Sequence, residues 1–230
     1  GSLSARYGSR LFTTLGMVIT AAGFVGLTLL PANFSYPVFA GLILLLGLGM
    51  GMFSAPNTAS IMNSVPPEYR GVASGMRATF QNAGNTLSIT LIFSLVTAGL
   101  ASKLPGALYG GLTSVGVPAK VAEGISHLPP TGALFAAFLG YNPMATLLPR
   151  EVLDGLSAAN RSKVLGKEFF PDMISGAFMH GVVVAFTICA LISLGAAVFS
   201  LFRGGKYIYE AQEPDRYEAA SILATDTIPD

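Results

Sequence analysis

Residues 65–85 read VPPEYRGVASGMRATFQNAGN. Two prolines, Glu68 and Arg70 make a charged turn, and Gly71 and Gly75 lead from it into a run that soon becomes almost wholly apolar. In a soluble enzyme such a stretch is a glycine-bearing loop of the kind that cradles a phosphate or presents a catalytic group. In a membrane protein it is the hairpin between two spanning helices. The sequence on either side decides between them.

Of the 230 residues, 52% are hydrophobic and 11% charged, and the mean hydropathy is +0.61. A soluble domain carries about 25% charged residues, more than twice this supply. The apolar residues gather into four blocks, Leu11 to Leu30, Val38 to Met62, Gly75 to Ala101 and Met173 to Phe202. Each is long enough to cross a bilayer, for which about 20 residues suffice. None holds Asp, Glu or Lys, and the one arginine is Arg77, at the mouth of the third. The chain therefore reads as an all-α membrane protein with four transmembrane helices.

Short loops rich in Lys and Arg stay on the cytoplasmic side. Arg6 and Arg10 precede the first block, Arg70 and Arg77 flank the turn at 63–74, and Arg203, Lys206 and Arg216 follow the fourth block. The connection PANFSYP, between the first two blocks, has no basic residue. This pattern places the N-terminal end, the 63–74 loop and the tail 203–230 in the cytoplasm, in a multi-pass protein of the plasma membrane.

Residues 1–101 thus hold three spans, 102–172 a long exterior loop, and 173–202 the last span. Within the loop, residues 131–149 (TGALFAAFLGYNPMATLLP) are almost long enough to cross, but Gly132, Gly140, Asn142 and Pro143 interrupt the run. A fifth span there would also carry the basic tail to the outside. A re-entrant or interfacial segment keeps the charge pattern and is the preferred reading. The stretch REVLDGLSAANRSKVLG, residues 150–166, reads as one short amphipathic helix with Leu153, Leu156 and Val164 towards one side.

Polar groups at membrane depth point to function. Arg77, Gln81, Asn85 and Ser88 fall at spacings of four, four and three, one narrow helical face at about 100° per residue. That face lines a water-filled cavity or makes hydrogen bonds between helices, and the spacing leaves both open. On the second helix, Gly47, Gly51, Ser54 and Thr58 form a small-residue face suited to close helix packing. Pro56 breaks the hydrogen-bond ladder beside Asn57, and broken helices with nearby polar groups are where transporters hold substrate. A kinked packing helix explains Pro56 equally well. His180, with no carboxylate on any span, reads as an interfacial or packing histidine.

Other classes lack their residues. A net charge of +1 offers no field for nucleic acid. Cys189 stands alone inside the fourth block, and no His/Cys set has metal-ligand spacing. GLGMG, in the second block, has neither the preceding strand nor the third glycine of a dinucleotide loop. Neither an enzyme nor a cofactor is expected.

The run GSLSARYGSR, residues 1–10, resembles the cytoplasmic loop motif of the major facilitator superfamily, roughly G-x-L-x-D-R-x-G-x-R. Gly1, Leu3, Arg6, Gly8 and Arg10 match it, and Ala5 stands at the acidic position, which weakens any charge pairing by this loop. The run from Gly47 through PPEYRGVASGMRATFQNAG, with the long exterior loop before the last helix, resembles the C-terminal half of fourteen-helix drug:proton antiporters of that family.

The resemblance implies the C-terminal portion of a major facilitator fold, with the missing N-terminal helices as partners of these four. It makes the first and fourth helices outer scaffold and turns the second and third towards a central cavity. Asn57, Gln81, Asn85 and Ser88 are then the cavity candidates. Gly1, Arg6, Gly8, Arg10, Arg70, Gly71, Gly75 and Arg77 belong to the inner gate. The implied activity is export of amphipathic small molecules, by rocking of two halves, with protons as coupling ion. The family's coupling carboxylates belong mainly to earlier helices, and these spans hold none. The alternative from another class is a four-helix membrane scaffold or partner subunit that binds through the small-residue face.

Overall fold

Lipid gives backbone amides no partner, so an apolar block that enters a bilayer must bond within itself as a helix. The computed structural model describes residues 9–202. Gly1, Arg6, Gly8 and the tail 203–230 lie outside the described residues. The helices are α1 (Ser9–Thr28), α2 (Tyr36–Asn63), α3 (Arg70–Ser114), α4 (Ala119–Ser126), α5 (Pro130–Phe138), α6 (Met144–Leu147), α7 (Arg150–Gly155), α8 (Ala158–Leu165) and α9 (Phe169–Leu201). Among the described residues there is no strand. Four helices, α1, α2, α3 and α9, are long and apolar enough to cross a membrane.

These four stand in the spatial order α2–α1–α9–α3. Consecutive neighbours in that row pack along their lengths, whereas α2 and α3 barely touch. Glycine sets the closest approach at two of the three contacts. Between α1 and α2, a Cβ on Gly16 would stand 2.6 Å from the Gly49 carbonyl oxygen, and one on Gly49 would stand 2.8 Å from that of Gly16. Between α3 and α9, a Cβ on Gly99 would fall on the Gly181 Cα. Lipid tails are as apolar as leucine, so association in a bilayer relies on close packing of this kind.

The α1–α9 contact uses side chains. Thr13 Oγ1 lies 2.7 Å from Ser200 Oγ, the Thr14 hydroxyl donates to the same Ser200 oxygen at 3.1 Å, and the rings of Phe24 and Phe186 meet at 6.0 Å.

The third helix departs furthest from expectation. It does not stop at Ala101 but continues to Ser114, giving 45 residues, or about 67 Å against a hydrocarbon core of about 30 Å. Lys103 and Pro105 mark the sequence as leaving the membrane, and they do not end the helix. Leu100, Leu104, Leu108 and Leu112 recur every fourth residue and are buried almost completely. They pack with Phe170, Ile174 and Ala177 of α9, which begins at Phe169 rather than Met173. Gly116, at φ +90°, ends the turn after α3, a conformation that glycine adopts at little cost.

The region read as a long loop is therefore a small helical cap, α4–α8, closed over the projecting ends of α3 and α9. Val117, Ala122, Ile125, Leu134, Met144 and Val164 complete its core. Residues 131–149 are divided rather than continuous: α5 ends at Phe138 and α6 begins at Met144. Gly140, at φ +63°, makes the break, with the Tyr141 N–H bonded to the Ala136 carbonyl at 2.8 Å. Residues 150–166 are likewise two helices, because Ser157 caps α8 by accepting from the Asn160 N–H at 3.2 Å. Leu153 and Val164 are buried as the amphipathic reading expects, and Leu156 packs at the core's edge.

The second helix also differs. α2 runs unbroken through Pro56, whose ring is buried. The proline withholds an N–H from the Met52 carbonyl, and at that level the α1 backbone comes close, with a Cβ on Gly16 3.2 Å from the Met52 carbonyl carbon. Packing against α1 keeps the helix whole where its hydrogen-bond ladder lacks a rung.

Candidate cavity-lining face and turn

The candidate site is built from α2, α3 and the turn between them. Ser64 follows α2, with its N–H on the Ile61 carbonyl at 3.3 Å. Pro67–Tyr69 forms one 3-10 turn, and α3 starts at Arg70. The structure thus has a short turn between two long apolar helices that make little contact with each other. Arg70, Gly71 and Gly75 are exposed, and Arg77 is half-buried. No atom comes within 4 Å of a Cβ built on Gly71 or Gly75, so neither is used for close approach among the described residues.

Gln81, Asn85 and Ser88 are exposed, as is every residue from 78 to 94. Ser88 turns its hydroxyl inward and donates to the Gly84 carbonyl at 2.7 Å. The amides of Gln81 and Asn85 make no hydrogen bond among the described residues and are open to a ligand, water or a further helix. Asn57 is half-buried on α2 and has a partner. The structure thus keeps Gln81, Asn85 and Ser88 on one face of one helix and leaves Asn57 on another helix with little contact between the two.

The small-residue face of α2 takes no part in packing against α1. Gly47 and Gly51 have nothing within 4 Å of a built Cβ, and Ser54 is exposed. Thr58 is half-buried and bonds its hydroxyl to the Ser54 carbonyl at 2.8 Å. The residues that meet α1 are Leu42, Leu46, Gly49 and Phe53. They lie on the other side of α2, about 140° away at about 100° per residue. The spacing of small residues pointed to a face that, among these helices, nothing covers.

Arg10 has a role that its place in a loop motif did not suggest. Its Nε donates to the Leu201 carbonyl at 2.8 Å, and Nη2 reaches the same oxygen. A guanidinium there serves the unpaired carbonyls at the end of α9, where cations are favoured. The sequence holds no local signal for this bond, because its partners are 191 residues apart. Asn142, read in the sequence only as interrupting the 131–149 run, ties the cap together: its amide donates to the Val164 and Gly166 carbonyls, both at 2.7 Å, and its oxygen accepts from the Met144 N–H at 3.0 Å.

His180 is exposed on α9, next to the Gly181 crossing. Among the described residues no group of three or more His, Cys, Asp or Glu side chains could hold a metal ion. The arrangement offers amide and hydroxyl groups on an otherwise apolar face, which suits binding and orientation rather than bond-breaking.

Residues 1–89 match the family model described as Major Facilitator Superfamily. The chain is 26% identical over 203 residues to the tetracenomycin C resistance and export protein of Streptomyces glaucescens, covering 88% of this chain and 33% of that protein. It is 26% identical over 207 residues to a multidrug transporter protein of Bacillus subtilis, covering 88% of this chain and 35% of the other. A riboflavin transporter of Clostridioides difficile is 31% identical over 100 residues, 44% of this chain and 22% of its own. No solved structure matches. The chain spans about a third of the length of the first two of these relatives. Among the described residues the fold is all-α with four helices long and apolar enough to cross a membrane, and the matches make the chain similar to transporters over the residues they cover.

Proposed function

We propose that this chain is the C-terminal part of a secondary active transporter that exports amphipathic small molecules in exchange for protons. One observation carries the reading furthest. The 78–94 half of α3 is exposed on every side yet holds Gln81, Asn85 and Ser88 on a single face. A stripe of amides at membrane depth is expensive against lipid and useful against a wet cavity. The export protein of Streptomyces glaucescens favours the outward direction, and the multidrug transporter of Bacillus subtilis favours a drug-like substrate.

In this reading α1 and α9 form the scaffold behind α2 and α3, whose uncovered faces receive the remaining helices of the same protein. The turn at Pro67–Tyr69, with Arg70 and Arg77, belongs to the cytoplasmic gate. The tail is cytoplasmic and the cap exterior. The coupling carboxylate is supplied by another part of the protein. The open Gly47–Gly51 face also suits a scaffold subunit, and the two readings part on activity.

The test is ethidium uptake into inverted vesicles that hold the whole protein, driven by an imposed inside-acid pH gradient. Uptake that a protonophore abolishes supports the proposal. Vesicles with correctly inserted protein that accumulate none of a panel of amphipathic dyes favour the scaffold.

A further inference from the structure

The two halves of α3 live in different surroundings. Residues 78–94 are exposed throughout, whereas the half from Gly99 to Ser114 is fixed to α9 in two places. At the first, the backbones meet at Gly99 and Gly181. At the second, a Cβ on Gly111 would press into the Met173 side chain and lie 3.6 Å from its Cβ. The two contacts are separated by twelve residues on α3 and eight on α9, or about 18 Å and 12 Å of helix. Helices that cross at one point can swivel about it, and helices held at two cannot. The leucines at 100, 104, 108 and 112 fill the space between them with Phe170 and Ile174. α5 then touches both long helices, which closes the cap across the pair.

We infer that the cap is a clamp: it holds the Gly99–Ser114 part of α3 and the start of α9 as one rigid unit, so that any displacement of α3 during transport is confined to the part before Gly99. This rests on the transport reading for its purpose, though not for its geometry. The physical basis is that a well-packed core is bistable or fixed rather than continuously deformable. Every residue of 78–94 is exposed, which leaves that stretch open to follow whatever covers it. The clamp makes α3 a lever with a fixed end, and it excludes a route for substrate between α3 and α9 at the cap.

The test uses the whole protein without other cysteines, Cys189→Ala included, carrying Gly111→Cys and Met173→Cys. Truncating Met173 removes the atoms that a Gly111 Cβ would strike, and a Cβ separation of 3.6 Å suits a disulfide. Two copper(II) phenanthroline complexes each accept one electron as the thiols lose their protons to buffer and join, and mass spectrometry of the linked peptide gives the yield. The expected result is a link in most chains, with a yield unchanged by ethidium and dye transport within twofold of the reduced protein. Transport that falls more than twofold on linking and returns on reduction would overturn the clamp, because the ends would then have to part. A link formed in under half of the chains, or a yield halved by ethidium, would overturn it as well. Linking is read without transport, so a parent protein that moves no dye removes the functional reading and leaves the clamp to stand or fall on the yield.

Discussion

Gly99 of α3 and Gly181 of α9 meet backbone to backbone, with no room for a Cβ on either. A side chain at Gly181 would fall on the Val96 carbonyl oxygen and stand 3.1 Å from the Leu100 nitrogen. Backbone cannot swing aside as a side chain can, so the helices must separate. We expect Gly181→Val to destabilise the protein by at least the 1–3 kcal/mol or so of ordinary overpacking. Thermal denaturation in detergent checks this, and an unchanged midpoint would mean that the two helices do not cross there.

A paired comparison on α2 tests which small residues pack. Gly49→Leu strikes Thr20 and the Gly16 carbonyl, whereas Gly51→Leu meets open space. Gly49→Leu should lower folded yield several-fold through loss of the α1–α2 contact. Gly51→Leu should leave that contact intact and act only through whatever covers the other side of α2. Disulfide trapping between α1 and α2 in each variant separates the effects.

Asn142 holds the cap by three hydrogen bonds, two of them to carbonyls at the end of α8 and just beyond. At about 0.5–1.5 kcal/mol each, Asn142→Ala should weaken the cap by roughly 2–4 kcal/mol. Asn142→Asp should be at least as harmful, because it sets a carboxylate against two carbonyl oxygens. The readout is proteolysis of residues 131–168 in intact membranes, which should speed up tenfold or more. Equal digestion of variant and parent would show that the Asn142 tie to the end of α8 is dispensable.

Arg10 bonds to the last carbonyl of α9, and Arg10→Met keeps most of the apolar stem but removes the donors and the charge. We expect a loss of about 1 kcal/mol, the worth of a single exposed hydrogen bond. Hydrogen exchange at the last turn of α9 should quicken while that of α3 stays the same. No change at α9 would mean that the bond does not form in the membrane.

The four apolar blocks were legible because lipid imposes one rule along the chain: apolar length means helix. Where the chain leaves lipid that rule lapses, and the reading lapsed with it. The leucines at 100, 104, 108 and 112 did carry a visible four-residue period, but Lys103 and Pro105 hid it by marking the edge of the apolar block. Gly140 and Ser157 show the local chemistry that splits the cap helices, each being a residue that suits a helix end. The packing faces were harder. Gly47, Gly51, Ser54 and Thr58 have the spacing of an interface as clearly as Gly49 does, and spacing cannot say which side meets a neighbour. The Arg10–Leu201 bond, spanning nearly the length of the described chain, had no sequence signal at all.

The central claim is that the α3 face bearing Gln81 and Asn85 lines the transport path. Its most direct measurement is proton-driven dye efflux from cells expressing the whole protein with Gln81→Ala, Asn85→Ala or both, at matched membrane levels. The account predicts a loss of at least fivefold in the double variant with unchanged thermal stability, since neither amide bonds within these helices. Full efflux in the double variant would contradict it and return that stripe to the role of helix packing.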